Sequence, residues 1–124
     1  MNERIRLITH RGKKILLLDF TGCTPDEVKS LSGEIKKVVT KQPRNSVLTL
    51  ADFTGAKFTR EAVATMKEAI VFDKPHVQRS AWVGTESMPK VFYQAIKAFS
   101  QRELPTFRTR EEAMDWLVEE APGS

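Results

Sequence analysis

The sequence predicts an α/β domain, a mixed, mostly parallel sheet covered by helices in the order β-β-α-β-α-β-α-β-α. Three observations predict it. A period-two apolar pattern opens the chain and turns back at a glycine. Two segments begin with a threonine followed three positions later by a glutamate, the capping-box start of a helix. Short apolar runs then alternate with stretches whose apolar residues recur at helical spacing, as parallel βαβ units require.

Arg4 to Thr9 alternates polar and apolar residues, as a half-buried strand does. Arg11-Gly12-Lys13 supplies a tight turn with a residue able to take positive φ. Ile15 to Phe20 is apolar on both faces and reads as a more central second strand. Thr24-Pro25-Asp26-Glu27 then combines a cap, a proline at the first helical position and the capping-box acid. Val28, Leu31, Ile35, Val38 and Val39 form the inward stripe, and the helix should stop near Lys41, before Gln42-Pro43.

Ser46 to Phe53 is the third strand, broken by Thr54-Gly55. Thr59 opens a second helix with Val63, Met66, Ala69 and Ile70 inward, ending at Asp73-Lys74-Pro75-His76. Ser80 to Gly84 is a short buried strand. Ser87 is the expected cap of a third helix, with Met88, Phe92, Ala95, Ile96 and Phe99 on one face. Leu104 to Phe107 is a brief edge strand, where proline is tolerated. Thr109-Arg110-Glu111-Glu112 opens the last helix, with Ala113, Trp116 and Leu117 inward. One domain over residues 1–120 and a frayed tail over 121–124 are expected, with no internal repeat, low-complexity tract or linker.

Composition narrows the function. The chain has 124 residues, 40% apolar and 29% charged, which suits one globular core and excludes wholesale disorder. The net charge of +4 is uneven: residues 1–44 carry +5, residues 45–100 carry +2 and residues 101–124 carry −3. A basic front and an acidic end suit contact with charged partners. Cys23 is the single cysteine, so no internal disulfide or cysteine zinc cluster is expected. No signal peptide is expected after Met1, and Ile15-Leu16-Leu17-Leu18 is far below the ~20 apolar residues of a membrane span. A reducing cytoplasm is the expected location.

Three segments carry a family resemblance. They are Leu48-Thr49-Leu50-Ala51-Asp52-Phe53-Thr54-Gly55, Ser80-Ala81-Trp82-Val83-Gly84, and Phe107 through the capped helix to Trp116-Leu117. With the element order, they resemble the STAS domain, the anti-sigma-factor-antagonist fold, and more closely its SpoIIAA-like (STAS/SEC14-like) branch. The resemblance covers nearly the whole chain. It implies a non-catalytic regulatory or protein-interaction domain, or alternatively a small-ligand, anion or lipid-binding module of the SEC14-like kind. The phospho-switched members of the family place Asp-Ser at the start of the second helix. Aligned on Asp52, this chain has Arg60 and Glu61 there, so the phosphoacceptor serine is absent and Thr59 reads as a helix cap.

The loop Asp52 to Arg60 is the main candidate site. It leaves the C-terminal end of a parallel strand and enters a helix N-terminus, where α/β sheets favour ligands. Asp52, Thr54, Gly55, Lys57, Thr59 and Arg60 are its candidate residues: free amides with Lys57 and Arg60 suit a phosphate or carboxylate. The other reading is a structural or protein-contact loop in which Asp52 accepts loop amides. Thr85 and Ser87, in the loop after the fourth strand, should lie nearby as a secondary site or as turn and cap residues. Cys23 reads as small and inert, one residue before a cap. His10 and His76 are isolated and lack ligand spacing, so no metal or other cofactor is expected.

No Gly-x-Ser-x-Gly, His-Glu-x-x-His or Walker sequence occurs, and no enzyme is expected. Glu27 and Glu34 interleave with Lys29, Lys36, Lys37 and Lys41 on the first helix, which argues against nucleic acid. Met88, Phe92, Tyr93 and Phe99 either line a lipid-sized pocket or form core and an oligomer face. A homodimer, with a possible protein partner, is the expected assembly.

Overall fold

A computed structural model describes residues 3–119; the expected tail at 121–124 lies outside them. Strand β1 (Ile5–His10) pairs antiparallel with β2 (Lys13–Asp19). Their link is a two-residue turn in which Arg11 (φ 51°) and Gly12 (φ 80°) are both left-handed. That is the backbone a type I′ hairpin needs, because its twist matches the strands. Helix α1 (Pro25–Val39), β3 (Val47–Asp52), α2 (Arg60–Asp73), β4 (Val77–Val83), α3 (Lys90–Ser100), β5 (Thr106–Phe107) and α4 (Arg110–Val118) follow. The sheet order is β1-β2-β3-β4-β5, and every pairing after the hairpin is parallel.

Strand alternation divides the core between the two faces of this sheet. Leu16, Leu18, Ala51 and Trp82 pack with α1, α2 and Ile96 of α3. Ile15, Leu17, Leu48, Leu50, Ala81 and Val83 pack with Ala113, Leu117 and Val118 of α4. This is why β2 is apolar on both faces: it is covered on both. Thr24 makes the full capping box with Glu27, and Thr59 and Thr109 cap α2 and α4 by accepting the Ala62 and Glu112 amides.

Three expectations need correction. β4 begins at Val77 rather than Ser80, because Val77-Gln78-Arg79 is only partly covered and shows no apolar run. Ser87 does not cap α3. Met88 precedes Pro89, and a residue before proline is pushed out of the helical region. Met88 is accordingly extended (φ −100°, ψ 125°), so the helix starts at Lys90. Phe99 points outward, 58% exposed, while Phe92 and Tyr93 pack on the core. Asp73 closes α2 where the sequence places the helix end, and it is buried there.

Candidate functional site

The site is the edge formed by the C-terminal ends of β2, β3 and β4. Asp19 lies opposite Asp52, and Asp52 opposite Val83. Beyond each aspartate the chain makes the same turn. Asp52 Oδ1 accepts the Thr54 amide (3.0 Å) and hydroxyl (2.7 Å). Asp19 Oδ1 accepts the Thr21 amide (3.0 Å) and hydroxyl (2.6 Å). Phe20 stacks on Phe53 with centroids 4.8 Å apart, and the Gly22 amide donates to Thr54 O at 2.9 Å. Gly22 and Gly55 both take positive φ.

These twin turns come from one repeated tetrapeptide, Asp19-Phe20-Thr21-Gly22 and Asp52-Phe53-Thr54-Gly55. The reading of a chain without internal repeats overlooked it. Asp19, Thr21 and Gly22 are therefore site residues that the sequence analysis missed, and the repeat was the signal available to find them. An aspartate side chain that bonds the backbone two residues on favours this turn, and glycine then supplies the left-handed position.

Arg110, in the first turn of α4, ties the two turns together. Its Nε donates to Asp52 Oδ2 at 2.7 Å, and its Nη2 lies 3.5 Å from Asp19 Oδ1. Burial alone would raise the Asp52 pKa. The Thr54 bonds and the Arg110 guanidinium outweigh it and hold the carboxyl below its ordinary value. Arg4 adds a second clamp, donating Nη1 to Asp19 O (3.0 Å) and Thr21 O (2.8 Å).

The third loop closes on the second. Gly84 has φ 70°, and a Cβ there would lie 2.3 Å from the Thr54 nitrogen. Ser87 Oγ accepts the Gly55 amide at 2.9 Å. Thr85, half-buried, accepts the Met88 amide through its carbonyl (2.9 Å). The predicted proximity of the two loops holds, with Ser87 acting as a strap between them. Thr59 is committed to its cap, and the Lys57 amide donates to Cys23 O at 2.9 Å. The Lys57 and Arg60 side chains are exposed, and neither makes an ion pair among the described residues. Cys23 is fully buried, and burial pushes its thiol pKa up, away from a reactive thiolate.

A second polar feature lies on the α1–α2 face of the sheet. A cavity of about 40 Å³ is lined by Ser32, Thr49, Asp73, Ser80 and Arg102 among apolar side chains. A water occupies about 30 Å³ in the liquid, so this space is of water size and far below that of a lipid. Asp73 Oδ1 is buried there with no hydrogen-bond partner among the described residues. Burial raises the Asp73 pKa to about 6, against the pull of Arg102, His76 and Lys36. Among the described residues no three His, Cys, Asp or Glu side chains gather into a metal site, and no helix is long and apolar enough to cross a membrane.

No protein-family model and no curated protein matches the chain. Its structure is similar to that of an uncharacterized protein of the DUF3478 family, with a SpoIIAA-like fold, from Shewanella loihica PV-4. The TM-score is 0.70 at 16% identity, covering 92% of each chain. The fold of this chain is therefore SpoIIAA-like, as its element order and mixed sheet require.

Proposed function

We propose that the chain is a non-catalytic regulatory interaction domain, working as a homodimer in the cytoplasm, that meets a protein partner through the twin-turn edge. One observation carries this reading. Asp19, Asp52, Thr21, Thr54, Gly55 and Ser87 spend their polar groups on one another and on Arg110. Each threonine hydroxyl is committed to its own aspartate, and Arg110 offsets the charge of both carboxylates. What the edge offers outward is a rigid surface with the charges of Lys57 and Arg60. Rigidity favours recognition because little conformational freedom is lost on docking. The cationic pair suits an acidic segment of the partner. Arg60 and Glu61, where the resemblance would put Asp-Ser, leave phosphorylation out of this reading. A buried, unactivated Cys23 suits a reducing compartment.

A second reading rests on the same two cations. Lys57 and Arg60 beside the α2 N-terminus suit a small phosphate or carboxylate ligand.

Affinity capture from cells separates the two. The double variant Lys57→Glu with Arg60→Glu should fold as the parent does and lose the partner that the parent retrieves. Retention of that partner overturns the edge as the contact surface. For the second reading, inorganic phosphate should raise the parent's Tm and leave the variant's unchanged, since a ligand of the native state stabilises it by mass action.

A further inference from the structure

We propose that the outer face of α2 and α3 is where the second copy docks, the two α2 helices running antiparallel about a two-fold axis between Lys67 and Glu68. This rests on the homodimer in the reading above and supplies its surface. Among the described residues, the exposed large hydrophobics are Leu7, Val71, Phe72, Val91 and Phe99. All but Leu7 lie on these two helices. On α3, Val91 and Phe99 lie about 80° apart around the helix, both turned toward solvent. A groove of about 440 Å³ is lined by Ala64, Lys67, Glu68, Val71, Phe72 and Phe99. Lys36 lies over the Phe72 ring (4.2 Å) and Lys67 over the Phe99 ring (5.0 Å), so cations frame exposed aromatics.

The pattern along α2 identifies the occupant. A two-fold contact must be self-complementary, because each residue meets the mate of its own partner position. Centred between positions 67 and 68, an antiparallel pair sets Lys67 against Glu68 of the other copy, twice. It sets Ala64 against Val71, a small residue against a large one, twice. One turn further out, Glu61 comes opposite Lys74, which follows α2 and also donates to the Ser100 and Gln101 carbonyls. Within this α2 register no like charges are set opposite one another. Glu61 and Glu68 already bond Lys29 and Lys36, but their side chains are 76% and 65% exposed and keep oxygen to spare for a second cation. An anionic bilayer is disfavoured by those same glutamates on the face that would meet it. Docked this way, the second copy covers Val71 and Phe72 and leaves the twin-turn edge of each protomer clear.

Sedimentation equilibrium on the full chain, from micromolar to sub-millimolar concentration, tests the proposal. The parent should be a dimer. Val71→Asp should dissociate it, with an unchanged circular dichroism spectrum. Lys67→Glu sets glutamate against glutamate twice and should raise the dimer Kd by about tenfold or more. Glu68→Lys should do the same with lysines. Combining Lys67→Glu with Glu68→Lys restores opposite charges across the axis and should return Kd toward the parent value. A monomeric parent overturns both the homodimer and this surface. A dimer indifferent to Val71→Asp and Lys67→Glu overturns the surface alone. Failure of the double variant to recover overturns the register. Loss of dimerisation with intact partner capture leaves the interaction reading standing.

Discussion

Arg110 and Asp52 are 58 positions apart in the chain, yet the guanidinium Nε of the first meets the carboxylate of the second at 2.7 Å. The bond joins opposite parts of the architecture. Asp52 ends the middle strand of the sheet, and Arg110 opens the helix that covers one face. Through Asp52 the same guanidinium steadies the Thr54 turn, and through Asp19 it reaches the neighbouring one. A buried carboxylate can be kept at this edge because Arg110 and the Thr54 donors neutralise and bond it together.

Removing the guanidinium should therefore cost more than a surface ion pair does. Arg110→Ala leaves the Asp52 carboxylate buried with only its Thr54 donors. We expect a loss of about 2 kcal/mol in urea unfolding, below the 3–5 kcal/mol of a fully buried pair because Arg110 is partly exposed. The pH dependence gives a second readout. The native Asp52 pKa is depressed, so its contribution is present above the ordinary carboxylate pKa and is lost as pH falls through the native value. In Arg110→Ala that depression shrinks, and acid unfolding should begin at higher pH than in the parent. An unchanged acid midpoint and urea midpoint would show the clamp to be idle.

Gly84 and Gly22 share a left-handed backbone but not a neighbourhood. At Gly84 a Cβ would meet Thr54 backbone at 2.3 Å and 2.8 Å, whereas at Gly22 nothing lies within 4 Å. Gly22→Ala should therefore cost only the conformational penalty, about 1 kcal/mol. Gly84→Ala adds a backbone clash that no rotamer relieves, and must push apart the two loops that Ser87 straps together. A loss of at least about 3 kcal/mol is expected. Thermal unfolding of the two variants side by side checks this, and equal losses would mean that the loops are free to separate.

How far the sequence reaches is visible at this same edge. The helix starts at Thr24, Thr59 and Thr109 were legible because a cap is a local signal, carried within four residues. The β2 strand was legible because burial on both faces leaves an unbroken apolar run. Asp52 could be singled out because it stands between a strand and a helix. Its twin Asp19 was legible in principle, through the repeated Asp-Phe-Thr-Gly, but a tetrapeptide gains meaning only when both copies lie in paired strands. Arg110 carried no signal at all. It is one more charged residue in a first helical turn until topology brings α4 against the end of β3. Phe99 was misplaced for a related reason. Helical spacing puts Phe99 on the face of Phe92, seven positions back, but at the C-terminal end of α3 that face meets Lys67 of α2 rather than the core.

Asp73 offers the sharpest pH prediction. Its carboxyl ends α2 inside the small cavity, and one oxygen lacks a partner. Its native pKa of about 6 lies above the ordinary 3.8, so the folded state holds a proton that the unfolded state has lost across that interval. The sign follows from that difference. Stability from this group is full below the ordinary pKa and declines as pH rises through about 6. Arg102, itself depressed by burial, and the nearby His76 and Lys36 soften the decline without reversing it. Asp73→Asn keeps the shape and removes the titration. Between pH 4.5 and pH 7 the parent should lose stability, by at most about 2 kcal/mol, because roughly 1.5 pKa units of the shift lie above pH 4.5. The asparagine variant should show a flatter profile and exceed the parent at pH 7. Urea unfolding of both proteins at those two pH values measures the difference directly. Parallel profiles would mean that Asp73 is already ionised in the folded protein near pH 5, with the cavity hydrated well enough to solvate its charge.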